Sequence, residues 1–201
     1  MNRRRLPFAA IAAILVFLVA AGAGALWRAR PVAPPGPLVG SNIGGPYKLV
    51  DQDGRPVTEH SYDGKFRLMY FGYTFCPDVC PTDMQKMAQG LRAFAATDPK
   101  REAKVVGMFV TVDPARDTPA AVKAFVRAFS PTLVGLTGSQ AQVDAVTHGF
   151  RIFVHRNTGP NYLVDHSATM YLMGPDNAPI SFLDHDATPA TIAAELGKYV
   201  R

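Results

Sequence analysis

Cys76 and Cys80 are the only cysteines in a chain of 201 residues. They lie four positions apart in Phe75-Cys76-Pro77-Asp78-Val79-Cys80-Pro81. The thiolate is the form of cysteine that binds soft metal ions and attacks disulfides. At this spacing on a helix two sulfurs share one face, so a single ion can be held by both. Pro77 and Pro81 restrict the loop and reduce the entropy lost on ordering it. The spacing alone leaves three chemistries open. A structural disulfide is one, although a bridge closing so short a loop constrains little of the unfolded chain. A redox dithiol is another, although the usual pair has two intervening residues, not three. The third is a metal pair. Zinc asks for four ligands or an open catalytic position, and no third cysteine exists; Cu(I) suits two thiolates.

The elements around the pair sharpen this. Arg67–Tyr73 (RLMYFGY) is an apolar, aromatic run that predicts a buried strand. Thr82–Ala95 follows, with Met84, Met87, Ala88, Leu91 and Phe94 at helical spacing. The cysteines therefore sit at the C-terminal end of a strand and the entrance of a helix, where α/β proteins place their chemistry. Unpaired amides at a helix N-terminus favour a thiolate there.

The remaining pattern is also α/β. Tyr47–Val50 and Pro56–Thr58 flank Asp53-Gly54, a hairpin signal. Lys104–Val112 predicts a second buried strand. Thr118-Pro119 caps a helix to about Phe129, and Ser139 with Gln142 forms a capping box for a helix to His148. Arg151–His155 predicts a short strand. Ala168–Met173 and Ile180–Leu183 predict strands around a Gly174–Asn177 turn, and Thr188-Pro189 opens a last helix. This order predicts a thioredoxin-like fold: a central mixed sheet flanked by helices, with an N-terminal β-hairpin.

Five histidines offer a nitrogen ligand. His60, His148, His155 and His185 read as surface or capping residues. His166 differs, because it lies in the loop entering the second, ββα half, which in this plan packs against the cysteines. Asp165 beside it is a candidate to orient the imidazole. Met84, Met87, Met170 and Met173 read as core residues. The loop Asp113–Pro119 reads as a salt-bridged turn with a helix cap at Thr118. Thr74 two residues before Cys76, together with Arg116, raises a minor peroxidase-like alternative.

The formal net charge is +5. Arg3, Arg4, Arg5, Arg28 and Arg30 lie in the first forty residues, which hold no acid. The remainder has 16 basic and 16 acidic residues, a neutral domain without the electrostatic footprint of a nucleic-acid binder. Leu6–Trp27 is uncharged and long enough for a ~30 Å hydrocarbon layer at ~1.5 Å per residue. Flanking arginines favour the N-terminus inside; a cleaved signal peptide is the competing reading. The expected organisation is a cytoplasmic N-terminus at 1–5, a single transmembrane helix at 6–27, a Pro-rich linker at 28–43 and the folded domain at 44–201. That places the domain in the periplasm, anchored to the cell inner membrane.

The chain resembles the Sco/SenC family from Gly44 almost to its C-terminus. The matching stretches are Gly45-Pro46-Tyr47-x-Leu49, Phe71 through Pro81, Thr111-Val112-Asp113-Pro114-x-Arg116-Asp117-Thr118-Pro119, Leu136-Thr137-Gly138-Ser139, and Val164-Asp165-His166-Ser167-Ala168 leading to Tyr171-Leu172-Met173. The resemblance implies one copper, Cu(I) or Cu(II), held by Cys76, Cys80 and His166. It implies a role in assembling the CuA centre of cytochrome c oxidase subunit II, alongside other copper chaperones. Family members are viewed as copper donors without turnover chemistry, or as thiol–disulfide reductases using Cys76 and Cys80.

Overall fold

The computed structural model describes residues 35–201, and Phe17 alone before them. The expected membrane span lies outside these residues, and no described helix is long and apolar enough to cross a membrane. Gly36–Ser41, in the segment read as linker, form turns against the sheet, with Leu38 N donating to Ile180 O at 3.0 Å.

Nine strands and five helices follow in the order β1 (Lys48–Asp51), β2 (Pro56–Thr58), β3 (Phe66–Gly72), α1 (Val79–Thr97), α2 (Pro99–Glu102), β4 (Val105–Thr111), α3 (Pro119–Arg127), β5 (Val134–Thr137), α4 (Gln140–Gly149), β6 (Val154–Arg156), β7 (Val164–His166), β8 (Thr169–Met173), β9 (Pro179–Asp184) and α5 (Pro189–Tyr199). Seven strands form one sheet in the order β2-β1-β5-β4-β3-β8-β9, while β6 and β7 pair only with each other. The β4-β3-β8-β9 portion is the expected thioredoxin-like plan: β3 and β4 are parallel across α1, and β8 and β9 are antiparallel before α5.

The predicted caps form. Thr118 Oγ1 and Thr188 Oγ1 each accept from the amide three residues on, and both halves of the Ser139–Gln142 capping box are present. Two strands escaped the sequence reading. Val134–Thr137 joins the sheet parallel to β4 and antiparallel to β1. Val164–His166 pairs with β6, so His166 ends a strand instead of lying in a loop.

Side chains alternate across β3. On one face Gly72 and Tyr70 meet α1, and Phe109 of the neighbouring strand packs on Phe125 of α3 at 4.9 Å between centroids. Helices α1 and α5 approach closely at Gly90, where a Cβ would lie 2.6 Å from Ile192. On the other face Phe71 packs on Phe150, just past α4, at 5.0 Å. Met84, Met87, Met170 and Met173 are all buried in this core, as their spacing predicts.

Arg67 is a buried cation inside a strand that reads as apolar. Its guanidinium donates to Glu59 O at 2.9 Å, and to Gly174 O and Asn177 Oδ1. It thus ties two loops at the pole of the sheet opposite the cysteines.

Candidate metal centre

Strand β3 ends at Gly72, and the chain turns through Tyr73–Asp78 before α1 begins. Cys80 lies in the first turn of α1 and is fully buried; Cys76 lies in the loop, half-exposed. Both are free thiols. Asp78 occupies the N-cap position, but its side chain caps nothing. The sulfur of Cys76 takes that role, accepting the Cys80 N–H at 3.3 Å. An orphan amide of the helix end is thereby satisfied by a sulfur, which favours negative charge on it.

The two thiols are driven apart in acidity. A hydrogen bond from the Cys80 thiol, with others from the amides of Asp78 and Cys80, pulls the Cys76 pKa down to about 3 against the opposing effect of burial. Cys80 moves upward, because its proton is held by Cys76 and its charged form would be buried. The pair is therefore one half-exposed thiolate and one buried thiol.

His166 reaches this pair from β7. Its Nε2 lies 3.3 Å from Cys80 Sγ. Its Nδ1–H donates to Ser167 O at 3.0 Å, because a carbonyl only accepts. That bond fixes the tautomer and leaves the Nε2 lone pair facing the sulfur. Tyr73 and Tyr70 set the ring edge-on, at 5.9 and 6.4 Å. Asp165 does not orient His166: it is exposed, on the other side of the ribbon, and its Oδ2 accepts from Asn157 at 3.4 Å. The Ser167 carbonyl does that work.

The structure thus brings together the three residues singled out from the sequence. Among the described residues no group of three His, Cys, Asp or Glu donors already surrounds a common point; Cys80 joins the other two, through its N–H to Cys76 Sγ and its Sγ to His166 Nε2. His60 is exposed and paired with Asp63 at 3.1 Å, and His155 faces Asp165 across the β6–β7 ribbon.

The loop Asp113–Thr118 supports the cysteine loop from below. Asp117 is fully buried and accepts from Thr74 Oγ1 and Thr111 Oγ1, both at 2.6 Å, and from Thr74 N at 3.1 Å. Burial raises its pKa despite these bonds. Asp113 is also buried, accepting from Tyr162 OH at 2.7 Å and pairing with Arg116. The Arg116 guanidinium lies over Tyr162 at 3.7 Å and over exposed Phe75 at 4.9 Å. Thr74 and Arg116 therefore hold the loop: the Thr74 hydroxyl is donated to Asp117, and Arg116 is paired with Asp113. The Thr-Val-Asp-Pro-x-Arg-Asp-Thr run was a visible signal, but the burial of both carboxylates was not.

The matches to known proteins follow the same geometry. The SCO1/SenC family profile covers residues 36–201. Protein SenC of Rhodobacter capsulatus is 40% identical over 162 residues, 80% of this chain and 72% of that protein. The mitochondrial SCO1 homolog of Mus musculus is 35% identical over 162 residues, covering 79% of this chain but only 56% of the mouse protein. The structure of Bradyrhizobium japonicum ScoI with copper bound superposes with a TM-score of 0.70 at 41% identity, over 78% of this chain and 99% of that one. With a thiol pair at a strand-to-helix junction, a histidine brought to it from a separate ribbon, and a family profile spanning the whole folded region, this chain belongs to the SCO1/SenC family.

Proposed function

We propose that the domain carries one copper ion on Cys76, Cys80 and His166 and delivers it to the CuA centre of cytochrome c oxidase subunit II. The observation that carries this reading is the convergence of unlike donors. A tautomer-fixed Nε2 faces one sulfur at 3.3 Å, while the other sulfur is already held as a thiolate at a helix N-terminus. Two thiolates and an imidazole are a soft donor set suited to copper. Copper bound there would be held by the sulfurs of Cys76 and Cys80 and by Nε2 of His166. Three ligands leave a position open, through which a recipient's ligand can enter before the ion departs. Relatives with bound copper support the reading, as does the family resemblance for the oxidase. The apolar run at 6–27, with its flanking arginines, supports anchoring in the inner membrane with the domain in the periplasm.

The test is competitive Cu(I) titration of the reduced protein. One equivalent is expected to bind. Cys76→Ala, Cys80→Ala and His166→Ala are each expected to weaken binding by about 100-fold or more, a second-sphere effect being about 10- to 100-fold. Unchanged affinity in His166→Ala would remove it from the donor set.

The unequal thiols favour a second reading, a thiol–disulfide reductase acting on the recipient's cysteines. The Cys76 thiolate attacks a recipient disulfide, forming a mixed disulfide and releasing one thiolate. Cys80 then loses its proton and attacks the Cys76 sulfur, forming the Cys76–Cys80 disulfide and releasing the second recipient thiol. Mixing reduced, copper-free protein with an oxidised CuA domain separates the readings. Appearance of two recipient thiols per protein supports the reductase, and none over hours rejects it.

A further inference from the structure

His185 lines the same concavity, of about 340 Å³, as Cys76 and His166. Strand register brings it there independently. Thr169 of β8 stands opposite Asp184 of β9, so His185, one residue further on, lies beside the Ser167–Ala168 step that follows His166. Its main chain is fixed. His185 O accepts from Lys86 Nζ, and Lys86 pairs at 3.3 Å with buried Asp83 on α1, the helix that carries Cys80. Ala187 N closes the turn on Asp184 O at 3.0 Å. The imidazole, by contrast, is exposed and makes no hydrogen bond among the described residues. The backbone is anchored to the site while the donor atoms are free to move.

The concavity therefore presents two imidazoles and one sulfur to an arriving ion. Neutral imidazole binds copper in either charge state. Asp184 and Asp186, both exposed, flank His185 and draw cations toward it. We infer that His185 is an outer donor for copper. It takes the ion at the mouth of the site and yields it as Cys76, Cys80 and His166 engage, and on departure the order reverses. The inference rests on the copper-carrying reading above. A donor that holds the ion only in passing lowers the barrier in both directions and leaves the affinity to the inner three.

The experiment is stopped-flow transfer of Cu(I), supplied as its bicinchoninate complex, to the reduced, detergent-solubilised full chain. Wild type, His185→Ala and a control, His155→Ala, are compared, with thermal midpoints checking that all are folded. In His185→Ala, uptake and release are both expected to slow about tenfold, roughly 1.4 kcal/mol of barrier, with affinity within about threefold of wild type. His155→Ala is expected to match wild type. An unchanged rate in His185→Ala overturns the inference. So does a loss of affinity of about tenfold or more, because His185 would then be a resident ligand. Failure of the wild type to bind copper at all would instead overturn the copper-carrying reading, and this inference with it.

Discussion

Asp117 and Thr74 are joined twice: the carboxylate accepts both the Thr74 hydroxyl, at 2.6 Å, and the Thr74 amide, at 3.1 Å. The contact spans 43 positions of sequence and pins the start of the cysteine loop to the loop between β4 and α3. Asp117→Ala strands two hydroxyls and an amide in a buried place. It is expected to cost about 2–4 kcal/mol of stability, measured by urea unfolding. It should also weaken copper binding, because the loop carrying Cys76 loses its anchor. Full stability in Asp117→Ala would show that the contact contributes nothing.

The acidity of Cys76 has a direct chemical readout. Its folded pKa, about 3, lies far below that of an ordinary cysteine. It is therefore a thiolate from about pH 4 upward, across most of the range in which unfolded cysteine is protonated. Alkylation of copper-free protein by iodoacetamide is expected at Cys76 alone, with a rate nearly independent of pH from about 5 to 8; an ordinary thiol, pKa about 8.5, gains about tenfold per unit there. Peptide mapping identifies the site. In Cys80→Ser the strongest stabilising bond changes, so its profile should regain a pH slope. A tenfold-per-unit slope in the wild type would contradict the assigned acidity.

Gly72 clears the space that Cys80 fills. A Cβ there would lie 2.9 Å from Tyr70, 3.1 Å from Cys80 Sγ and 3.2 Å from Phe109. The backbone is not in the left-handed region, so the objection to a side chain is purely steric. Gly72→Ala is expected to cost about 1–3 kcal/mol by overpacking and to weaken copper binding by displacing the Cys80 sulfur from His166. Paired chemical-denaturation and Cu(I)-competition measurements check both, and wild-type affinity would mean that the thiol adapts without loss.

Arg67 supplies the contrasting case. It sits on β3, five residues before Gly72, roughly 17 Å away at ~3.3 Å per residue. Arg67→Met removes its bonds to Glu59 O, Gly174 O and Asn177 Oδ1. The expected cost is about 2–4 kcal/mol, with copper affinity unchanged. A loss of affinity comparable to that of Gly72→Ala would reveal coupling along the strand.

Much of this site was legible because its local chemistry is strong. The cysteine pair falls between an unbroken apolar strand and a helix with clear periodicity, and Thr118, Ser139 and Thr188 announce their helices. What was not legible depends on partners distant in sequence. Val134–Thr137 becomes a strand only because β4 and β1 flank it. Val164–His166 is three residues long and pairs with an equally short β6. Asp165 looked like the natural support for His166, but strand alternation turns it to the opposite face. Arg67 opens the predicted buried strand and Asp117 lies in the predicted turn, but a loop and a hydroxyl that satisfy their buried charges lie far away in sequence.

The contact between Cys80 and His166 spans 86 positions; Cys80 lies on α1, and His166 ends β7 of the separate two-stranded ribbon. A growing polypeptide that has released both cysteines from the ribosome still lacks His166. It also lacks β8, which borders β3. Until that later stretch emerges and docks, the thiols remain an unguarded pair, open to oxidation or to adventitious ions. In the proposed copper-carrying role, metal selection is therefore acquired only when the last third of the chain has been made.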